Sequence, residues 1–333
     1  MANQMLCMAD QRIAKGLRPR TFQAYKTAFR LYVAFMVFMG LHTPYDLKNV
    51  VIFLEFLAQK DLRAPSLRNY LSVLKHYFGL FGWPTMALSS RKVLLMVKSV
   101  HMNARLKIRV KSVFTIPMLE KLIKFVTKCT NGTSFKAVFL TAFFGFFRLA
   151  SLVPNSVQSF DKTRYLTYGD LIFGPPGIHL VMTCAKNMQQ SGAYQVVQLP
   201  KLKNSLICPV NALKNMVTSF KYDKDTPLFN IHTKKGQTVI TAPKVRSFLK
   251  MAIVALGLNP SQYTFHAFRR SGASMAFDSN VEFEKIKQHG NWQSEAIWRY
   301  LNSTPKLLAL YPTLSNNYLT NSSLGLGNLK FQF

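Results

Sequence analysis

The sequence predicts a mainly α-helical (α+β) fold of two domains, and three observations support that prediction. The chain has 333 residues, enough for two domains that each bury a core, and 49% of them are hydrophobic. Apolar residues recur at helical spacing over long stretches of the chain. Between residues 165 and 200 the pattern changes to short runs typical of strands, which predicts a small three-stranded antiparallel sheet.

The N-terminal part reads as a small bundle of helices with basic loops. Its apolar residues repeat every three or four positions, and a Pro-Ser pair opens the third helix, which ends near a glycine. The four helices are predicted at Arg20–Val37, Asn49–Lys60, residues 65 to about 82, and Arg91–Val100. We therefore place a helical-bundle domain at residues 1–105.

The second domain is predicted at residues 114–302, after a linker at residues 106–113. The segment NARLKIRVKSVFTIP is basic and lacks strong periodicity, and Pro117 suits the first turn of the next helix. The strands are expected in RYLTYGDLIF, GIHLVMTCAK and YQVVQLP, which GPPG and NMQQSG separate. Further helices are predicted at 209–219, 243–256, 264–277, 281–288 and 294–302, before a loosely patterned C-terminal segment at 303–333.

The charge of the chain indicates its class of partner. The chain has 43 Lys and Arg residues and 13 Asp and Glu residues, which gives a formal net charge of +30 at pH 7. Such an excess destabilises the compact state by self-repulsion unless a polyanion is bound. Basic residues dominate both before and after residue 110. Nucleic acid held between two basic domains is therefore the first candidate partner.

Several other classes of protein are disfavoured. The four cysteines lie far apart without a C-x-x-C pair, so we expect no zinc knuckle or disulfide framework, and a reducing compartment fits. The start, MANQMLCMADQR, lacks the apolar core of a signal peptide. The most apolar runs, LYVAFMVFMGL and AVFLTAFFGFF, are shorter than the roughly 20 residues that span a bilayer. Both are predicted to be buried core helices.

The acidic residues do not suggest a metal-dependent enzyme. Apart from the Asp223/Asp225 and Glu282/Glu284 pairs, the carboxylates are scattered, so a two-metal nuclease is disfavoured. Neither a Walker A motif nor G-x-G-x-x-G occurs. Cleavage of nucleic acid by this chain would therefore use fixed cations to hold the phosphate and a side chain as nucleophile.

The stretch YTFHAFRRSGASMAF combines a histidine with adjacent arginines near a predicted helix start. His266 and Arg269 stand at i and i+3, on one face of a helix that Thr264 would cap. A helix N-terminus with such side chains suits a phosphate. The alternative is that His266 caps or packs while Arg269 and Arg270 are solvated.

Five blocks extend this pattern: FFGFFRLASLVPNS, AKNMQQSG, VVQLPKLKNSLICPVNAL, YTFHAFRRSGASMAF and IKQHGNWQSEAIWRYL. In order and spacing they resemble the tyrosine recombinases, the phage integrase family. The spelling is most similar to recombinases of eukaryotic Crypton and DIRS-like mobile elements, with blocks near R-L-S-N-L-V-P, H-S-F-R-R-G-G-A and G-x-W-x-S-D-A-x-x-x-Y. The resemblance covers about residues 112–302 and implies the DNA breaking-rejoining enzyme fold, with the N-terminal bundle as core-binding domain.

The resemblance also implies roles for individual residues. The arginine that begins R-L-x-x-L-V-P and the H-x-x-R pair would clamp the phosphate. A hairpin lysine would protonate the leaving oxygen, and a tryptophan would pack under the site. A tyrosine would be the nucleophile. The implied catalytic set is Arg148, Lys186, His266, Arg269, Trp292 and Tyr300.

The activity implied is site-specific DNA recombination for integration or excision of a mobile element. Strands would be cut and rejoined through a 3'-phosphotyrosyl intermediate, without metal, ATP or another cofactor. The implied partners are double-stranded DNA at a specific site and further copies of the chain in a tetramer, with residues 303–333 docking between protomers. No membrane or small-molecule substrate is implied, and the location would be the nucleus in a eukaryotic host and otherwise the cytoplasm.

Each assignment has a simpler rival. Arg148 can be a cation that complements the C-terminal end of an apolar helix, and Lys186 can be an ordinary surface lysine. Tyr300 can be a core aromatic, which leaves two later tyrosines as alternative nucleophiles. His289, three residues before Trp292, competes for the role of Trp292. The alternative nucleophiles are Tyr311 and Tyr318.

The blocks also depart from the family pattern. Ser151 stands where Asn or an acidic residue is usual, after Ala150, and cannot support a neighbouring cation by charge. Ala267 and Ser271 replace a Ser and a Gly of the H-x-x-R block. Two alternative functions remain: a domesticated DNA-binding protein on the same fold without strand exchange, and a type IB topoisomerase that relaxes supercoils as a monomer.

Overall fold

The computed structural model describes residues 16–103, 112–175, 177–182 and 194–301. The chain divides into two compact units, Met1–Ile108 and Arg109–Phe333. Most of the linker predicted at residues 106–113 lies outside the described residues. The roles predicted for the two domains stay predictions.

The N-terminal unit contains the four predicted helices. They are α1 (Pro19–Phe38), α2 (Leu47–Gln59), α3 (Ala64–Leu80) and α4 (Arg91–Asn103). Asp46 begins α2 by accepting a hydrogen bond from the main-chain N–H of Lys48 at 2.7 Å. Their core is rich in aromatic rings, and Tyr32, Phe53 and Phe78 are fully buried in it. The apolar periodicity therefore predicted these helices correctly.

The first apolar run is buried on one side only. Within α1, Phe35 and Met36 are buried, whereas Val37 and Phe38 are 77% and 86% exposed. A helix has 3.6 residues per turn, so some side chains of a continuous apolar run point away from the core. The prediction that this run is a buried core helix is wrong for that outer face.

The C-terminal unit is mainly helical. Its helices are α5 (Ile116–Thr127), α6 (Gly132–Phe144), α7 (Leu149–Leu152), α8 (Pro209–Val217), α9 (Ala242–Ala255), α10 (His266–Asp278), α11 (Phe283–His289) and α12 (Trp298–Leu301). The apolar helix α6 is buried on nearly every side, as predicted for the second apolar run. Phe139 of α6 stacks on Phe268 of α10, with ring centroids 4.9 Å apart. Helix α10, which carries His266 and Arg269, is thereby anchored in the core.

The predicted three-stranded antiparallel sheet is present. Its order is β1 (Leu171–Gly174), β2 (Gly177–Met182) and β3 (Gln195–Pro200). Strand β1 is shorter than predicted, because a 3-10 turn at Tyr168–Asp170 precedes it, with the Asp170 carboxylate accepting hydrogen bonds from Thr167.

Two further details differ from the predicted elements. A second hairpin, β4 (Asn230–Thr233) and β5 (Gly236–Val239), was not predicted, because each strand has only four residues and the period-2 signal is weak over that length. The helix predicted at 294–302 is divided into a 3-10 turn at Glu295–Ile297 and α12. Within the described residues, no helix combines the length and apolarity that crossing a membrane requires.

Candidate functional site

The site is built around the N-terminal end of α10. The helix begins at His266, and Phe265 occupies the N-cap position. The prediction that Thr264 caps this helix is wrong: Phe265 stands at the N-cap position, and no side-chain hydrogen bond caps the helix there. Thr264 contributes its carbonyl instead, which accepts the N–H of Ala267 at 2.8 Å.

The predicted histidine and the predicted tyrosine are in direct contact. His266 Nε2 and Tyr300 Oη are 2.7 Å apart, and their ring centroids are 5.2 Å apart. Both side chains are half-buried. Tyr300 comes from α12, so this pair joins segments 34 residues apart in the chain. A hydroxyl at this distance from an imidazole nitrogen is in position to pass it a proton.

Arg269 lies deeper, with only 3% of its surface exposed. Its guanidinium donates from Nη1 to the carbonyl of Phe146 and from Nη2 to the carbonyl of Gly290 at 2.8 Å. The guanidinium carbon is 3.7 Å from the centroid of the Trp292 ring. Nε has no hydrogen-bond partner among the described residues. Two main-chain carbonyls and a ring therefore orient this cation and leave part of its donor capacity unused.

Arg269 is a buried cation that no carboxylate neutralises among the described residues. Burial lowers the pKa of Arg269 to about 10, repulsion by Arg148 acts in the same direction, and Tyr300 acts against both. The group is still charged at pH 7. No ion pair within the described residues involves Arg148 or Arg269. A buried cation without a carboxylate favours an external anion.

A small cavity brings the two arginines together. Arg148 and Arg269 both line it, with Ser151, Gln195 and His289 among the other lining residues. Ser151, which replaces the usual Asn or acidic residue, thus faces this cavity. No lining side chain is a carboxylate. Two arginines and no carboxylate therefore line the cavity.

The position of Arg148 contradicts its simpler explanation. Helix α6 ends at Phe144, and three residues separate that end from Arg148, which immediately precedes α7. Arg148 therefore does not complement the C-terminal end of the apolar helix. The intervening turn contains Phe146 in the left-handed region, with φ of 51°, which is unfavourable for a residue with a bulky side chain. This turn directs Arg148 toward the cavity and the Phe146 carbonyl toward Arg269.

Trp292 packs beneath the tyrosine. It is 6% exposed, and its ring contacts that of Tyr300 edge to face, with centroids 5.2 Å apart. Its indole N–H has no partner among the described residues. Gly290 permits this arrangement, because a Cβ there would lie 1.7 Å from the Trp292 ring.

His289 makes a different contact. Its Nε2 lies 2.8 Å from the carbonyl of Phe144, a geometry in which Nε2–H donates, and its ring meets Phe146 edge to face. Burial lowers the pKa of His289, the hydrogen bond to Phe144 opposes that effect, and Arg269 adds to it. A neutral His289 that donates to this carbonyl holds the end of α6 beside the turn that precedes Arg148.

Residues that the motifs did not indicate also build the site. Phe146 and Gly290 contribute carbonyls, and Gln195 donates from Nε2 to the carbonyls of Gln288 at 3.1 Å and His289 at 3.0 Å. Main-chain acceptors have no side-chain signature in a sequence. Gly290, in the sequence HGNW, is a signal for such a contact, because a glycine two residues before Trp292 leaves room for the tryptophan ring.

Lys186, the alternative nucleophiles Tyr311 and Tyr318, and the C-terminal segment at 303–333 lie outside the described residues. The structure therefore brings together five of the six predicted residues, namely Arg148, His266, Arg269, Trp292 and Tyr300. The described residues contain no group of three or more His, Cys, Asp or Glu side chains suited to a metal ion.

Comparisons with known proteins give structural matches. No protein-family model and no curated protein sequence matches this chain. The Tn1549 transposon integrase in complex with a circular intermediate DNA is similar, with a TM-score of 0.57 at 13% identity over 88% of this chain and 92% of that chain.

Lambda integrase is similar in two structures. As a dimer bound to a COC' core site it has a TM-score of 0.56 at 14% identity, covering 90% of this chain and 95% of that chain. As a tetramer bound to a Holliday junction it has a TM-score of 0.56 at 14% identity, covering 86% and 77%. Likeness at this identity shows the fold: the predicted mainly helical architecture with a small antiparallel sheet is confirmed, and it is the fold of these integrases.

Proposed function

We propose that this protein is a tyrosine site-specific recombinase, which cuts and rejoins DNA through a covalent bond between Tyr300 and a 3'-phosphate. One observation carries the proposal: the hydroxyl of Tyr300 lies 2.7 Å from His266 Nε2, beside a buried arginine without a carboxylate partner. The likeness in fold to integrases solved with DNA supports it.

The first step is attack of the Tyr300 oxygen on phosphorus. A phenol with a pKa of about 10 is a weak nucleophile at pH 7 and needs a base. His266 Nε2 accepts the phenolic proton as the O–P bond forms. The P–O5' bond breaks, and the DNA end leaves as a 5'-hydroxyl. Lys186 supplies the proton for that hydroxyl, as the family resemblance implies.

The negative charge that develops on the phosphate is held by the cavity. Arg148 and Arg269 bind the two non-bridging oxygens, and fixed cations in a low-dielectric site stabilise the transition state more than they would in water. The unpartnered Nε–H of Arg269 and indole N–H of Trp292 are available donors for those oxygens. Trp292 rather than His289 takes the third role, since His289 Nε2 already contacts the Phe144 carbonyl.

Rejoining reverses the same chemistry. The 5'-hydroxyl of a partner strand gives its proton to Lys186 and attacks the phosphotyrosyl phosphorus. The Tyr300–phosphate bond breaks, and His266 returns the other proton to the phenol. The phosphodiester energy is conserved, so the cycle needs no ATP, and the charge is balanced by side chains rather than by a metal.

The biological setting follows from the same proposal. The residues of the motifs favour a recombinase of a mobile element. It would exchange one strand at a time in a tetramer on DNA, and residues 303–333 would dock between protomers. The Holliday-junction complex of lambda integrase is a tetramer. The net charge of +30 suits a protein that surrounds duplex DNA, and the nucleus is the expected location in a eukaryotic host.

Covalent trapping on randomised DNA tests the proposal and identifies the DNA site at the same time. The full-length chain is incubated with a library of duplexes whose central sequence is randomised and whose backbone carries 5'-bridging phosphorothioates. Adducts that survive denaturing detergent are isolated and sequenced. We expect wild type to form a 3'-linked adduct on a defined sequence and Tyr300→Phe to form none. Tyr263→Phe, a half-buried tyrosine packed on Phe114, is the matched control and should react.

The other outcomes identify the rival explanations. Adducts retained by Tyr300→Phe but lost in Tyr311→Phe or Tyr318→Phe would move the nucleophile and keep the reaction class. Specific DNA binding by wild type without any adduct would establish the binding-only alternative. Relaxation of supercoiled plasmid by monomeric protein without strand exchange would indicate the topoisomerase.

A further inference from the structure

Tyr300 lies across one face of α10, and three residues of that face contact it. His266 Nε2 is 2.7 Å from its hydroxyl, and Ser274 donates from Oγ to its main-chain carbonyl at 3.1 Å. Between them, the guanidinium carbon of Arg270 is 5.9 Å from the centroid of its ring. Positions 266, 270 and 274 are i, i+4 and i+8, which align on one side of a helix.

This geometry distinguishes Arg270 from a solvated or purely DNA-contacting arginine. The side chain is half-buried, and burial lowers the pKa of Arg270 while the neighbouring Tyr300 acts in the opposite direction. The guanidinium carbon of Arg269 is also 5.9 Å from the centroid of the ring. Two guanidiniums therefore lie close to the tyrosine ring, whereas the sequence motif predicts one.

We infer that Arg270 is a further positioning residue of the proposed reaction, which holds the Tyr300 ring over α10 and stabilises its negative charge as the phenolic proton leaves. The inference rests on the proposed function. Arg269 already binds two main-chain carbonyls and stacks on Trp292. Of the two adjacent arginines, Arg269 binds the phosphate and Arg270 acts on the nucleophile Tyr300.

Three charged or titratable side chains, His266, Arg269 and Arg270, lie close to the Tyr300 ring. A guanidinium close to an aromatic ring is typically worth about 0.5–2 kcal/mol. Removing the Arg270 charge should therefore slow adduct formation by about tenfold.

The test compares wild type, Arg270→Gln and Arg270→Lys in single-turnover adduct formation at pH 7. The substrate is the trapped DNA sequence with a 5'-bridging phosphorothioate, whose thiolate leaves without a proton and so removes any dependence on the acid. We expect Arg270→Gln to react about tenfold more slowly than wild type and Arg270→Lys to restore most of the rate. The matched control is Arg164→Gln, which removes a guanidinium 5.6 Å from the Tyr165 ring, outside the site.

A second measurement does not need DNA. In protein labelled with 13Cζ-tyrosine, the Tyr300 signal is the one missing from Tyr300→Phe, and its chemical shift should differ between Arg270→Gln and wild type. Equal rates and equal Tyr300 chemical shifts would overturn the role of Arg270, while adducts formed by wild type preserve the proposed function. Absence of adducts in wild type overturns the proposed function, and a changed Tyr300 chemical shift would then still show the contact between Arg270 and Tyr300.

Discussion

The guanidinium of Arg269 stacks on the face of Trp292 with its central carbon 3.7 Å from the ring centroid. The contact is possible because Gly290, two residues before the tryptophan, lacks a side chain and offers its carbonyl to the same guanidinium. The Arg269 guanidinium, the Trp292 ring and Gly290 thus limit one another's positions. The first two predictions change one of these residues each.

Arg269→Lys should impair both stability and reaction. A lysine cannot reach the carbonyls of Phe146 and Gly290 together, and an unpaired buried acceptor costs about 1–3 kcal/mol. Loss of a transition-state donor should slow adduct formation by about 100-fold or more. Urea unfolding and single-turnover trapping measure these effects. The exposed Arg246→Lys is the control, and equal losses in both variants would contradict the prediction.

Gly290→Ala should displace Trp292. The new Cβ would fall 1.7 Å from the ring of this buried residue, and overpacking of that kind costs about 1–3 kcal/mol. Gly174→Ala is the matched control in the same unit, because a Cβ there meets nothing within 4 Å. Trp292 fluorescence and thermal unfolding report the change, and a wild-type melting temperature for Gly290→Ala would refute the packing argument.

His289→Gln should weaken the dependence of stability on pH. Because burial holds the pKa of His289 below its ordinary value of 6.5, the unfolded chain takes up the proton first as pH falls. The stability contributed by neutral His289 is thus complete above pH 6.5 and is lost as pH falls from there through the lowered folded-state pKa. Between pH 7.5 and 5.5 wild type should lose up to ~1 kcal/mol more than the variant.

Glutamine is the appropriate replacement for His289, because its amide reaches the Phe144 carbonyl and donates without titrating. Urea unfolding at the two pH values gives the comparison. If both proteins show the same slope, His289 does not remain neutral in the folded state.

Gln195→Glu should loosen the link between strand β3 and helix α11. The glutamine amide donates to the carbonyls of Gln288 and His289, and a carboxylate at the same place would face those oxygens without a proton to share. It would also add an anion to the cavity of Arg148 and Arg269, where it competes with DNA phosphate. We expect adduct formation to fall by about tenfold or more.

The same strand provides the control for this substitution. Gln198→Glu introduces the same charge at an exposed position of β3. Trapping assays and DNA binding at several salt concentrations separate the local effect from the loss of net charge. Equal behaviour of the two variants would show that only net charge matters.

The apolar periodicity was sufficient to predict most helices of both units and the three-stranded sheet. It failed where short elements depend on neighbours. The four-residue strands β4 and β5 carry too few residues for a period-2 signal, and α12 is preceded by a 3-10 turn that its sequence does not distinguish from an α-helix. Thr264 has the residue type of a cap but lies one residue too early, because the helix begins at His266 and its N-cap position is Phe265.

The sequence by itself determined the types of side chain available for the chemistry: arginines, a histidine, a tryptophan and a tyrosine in a fixed order, on a chain whose charge favours a polyanion. The tertiary structure decided how they are used. It placed Arg269 against two main-chain carbonyls, turned Phe146 into the left-handed region, and laid Tyr300 over Arg270. Carbonyls have no side-chain code, and contacts between residues 34 or 123 positions apart arise only when the core packs.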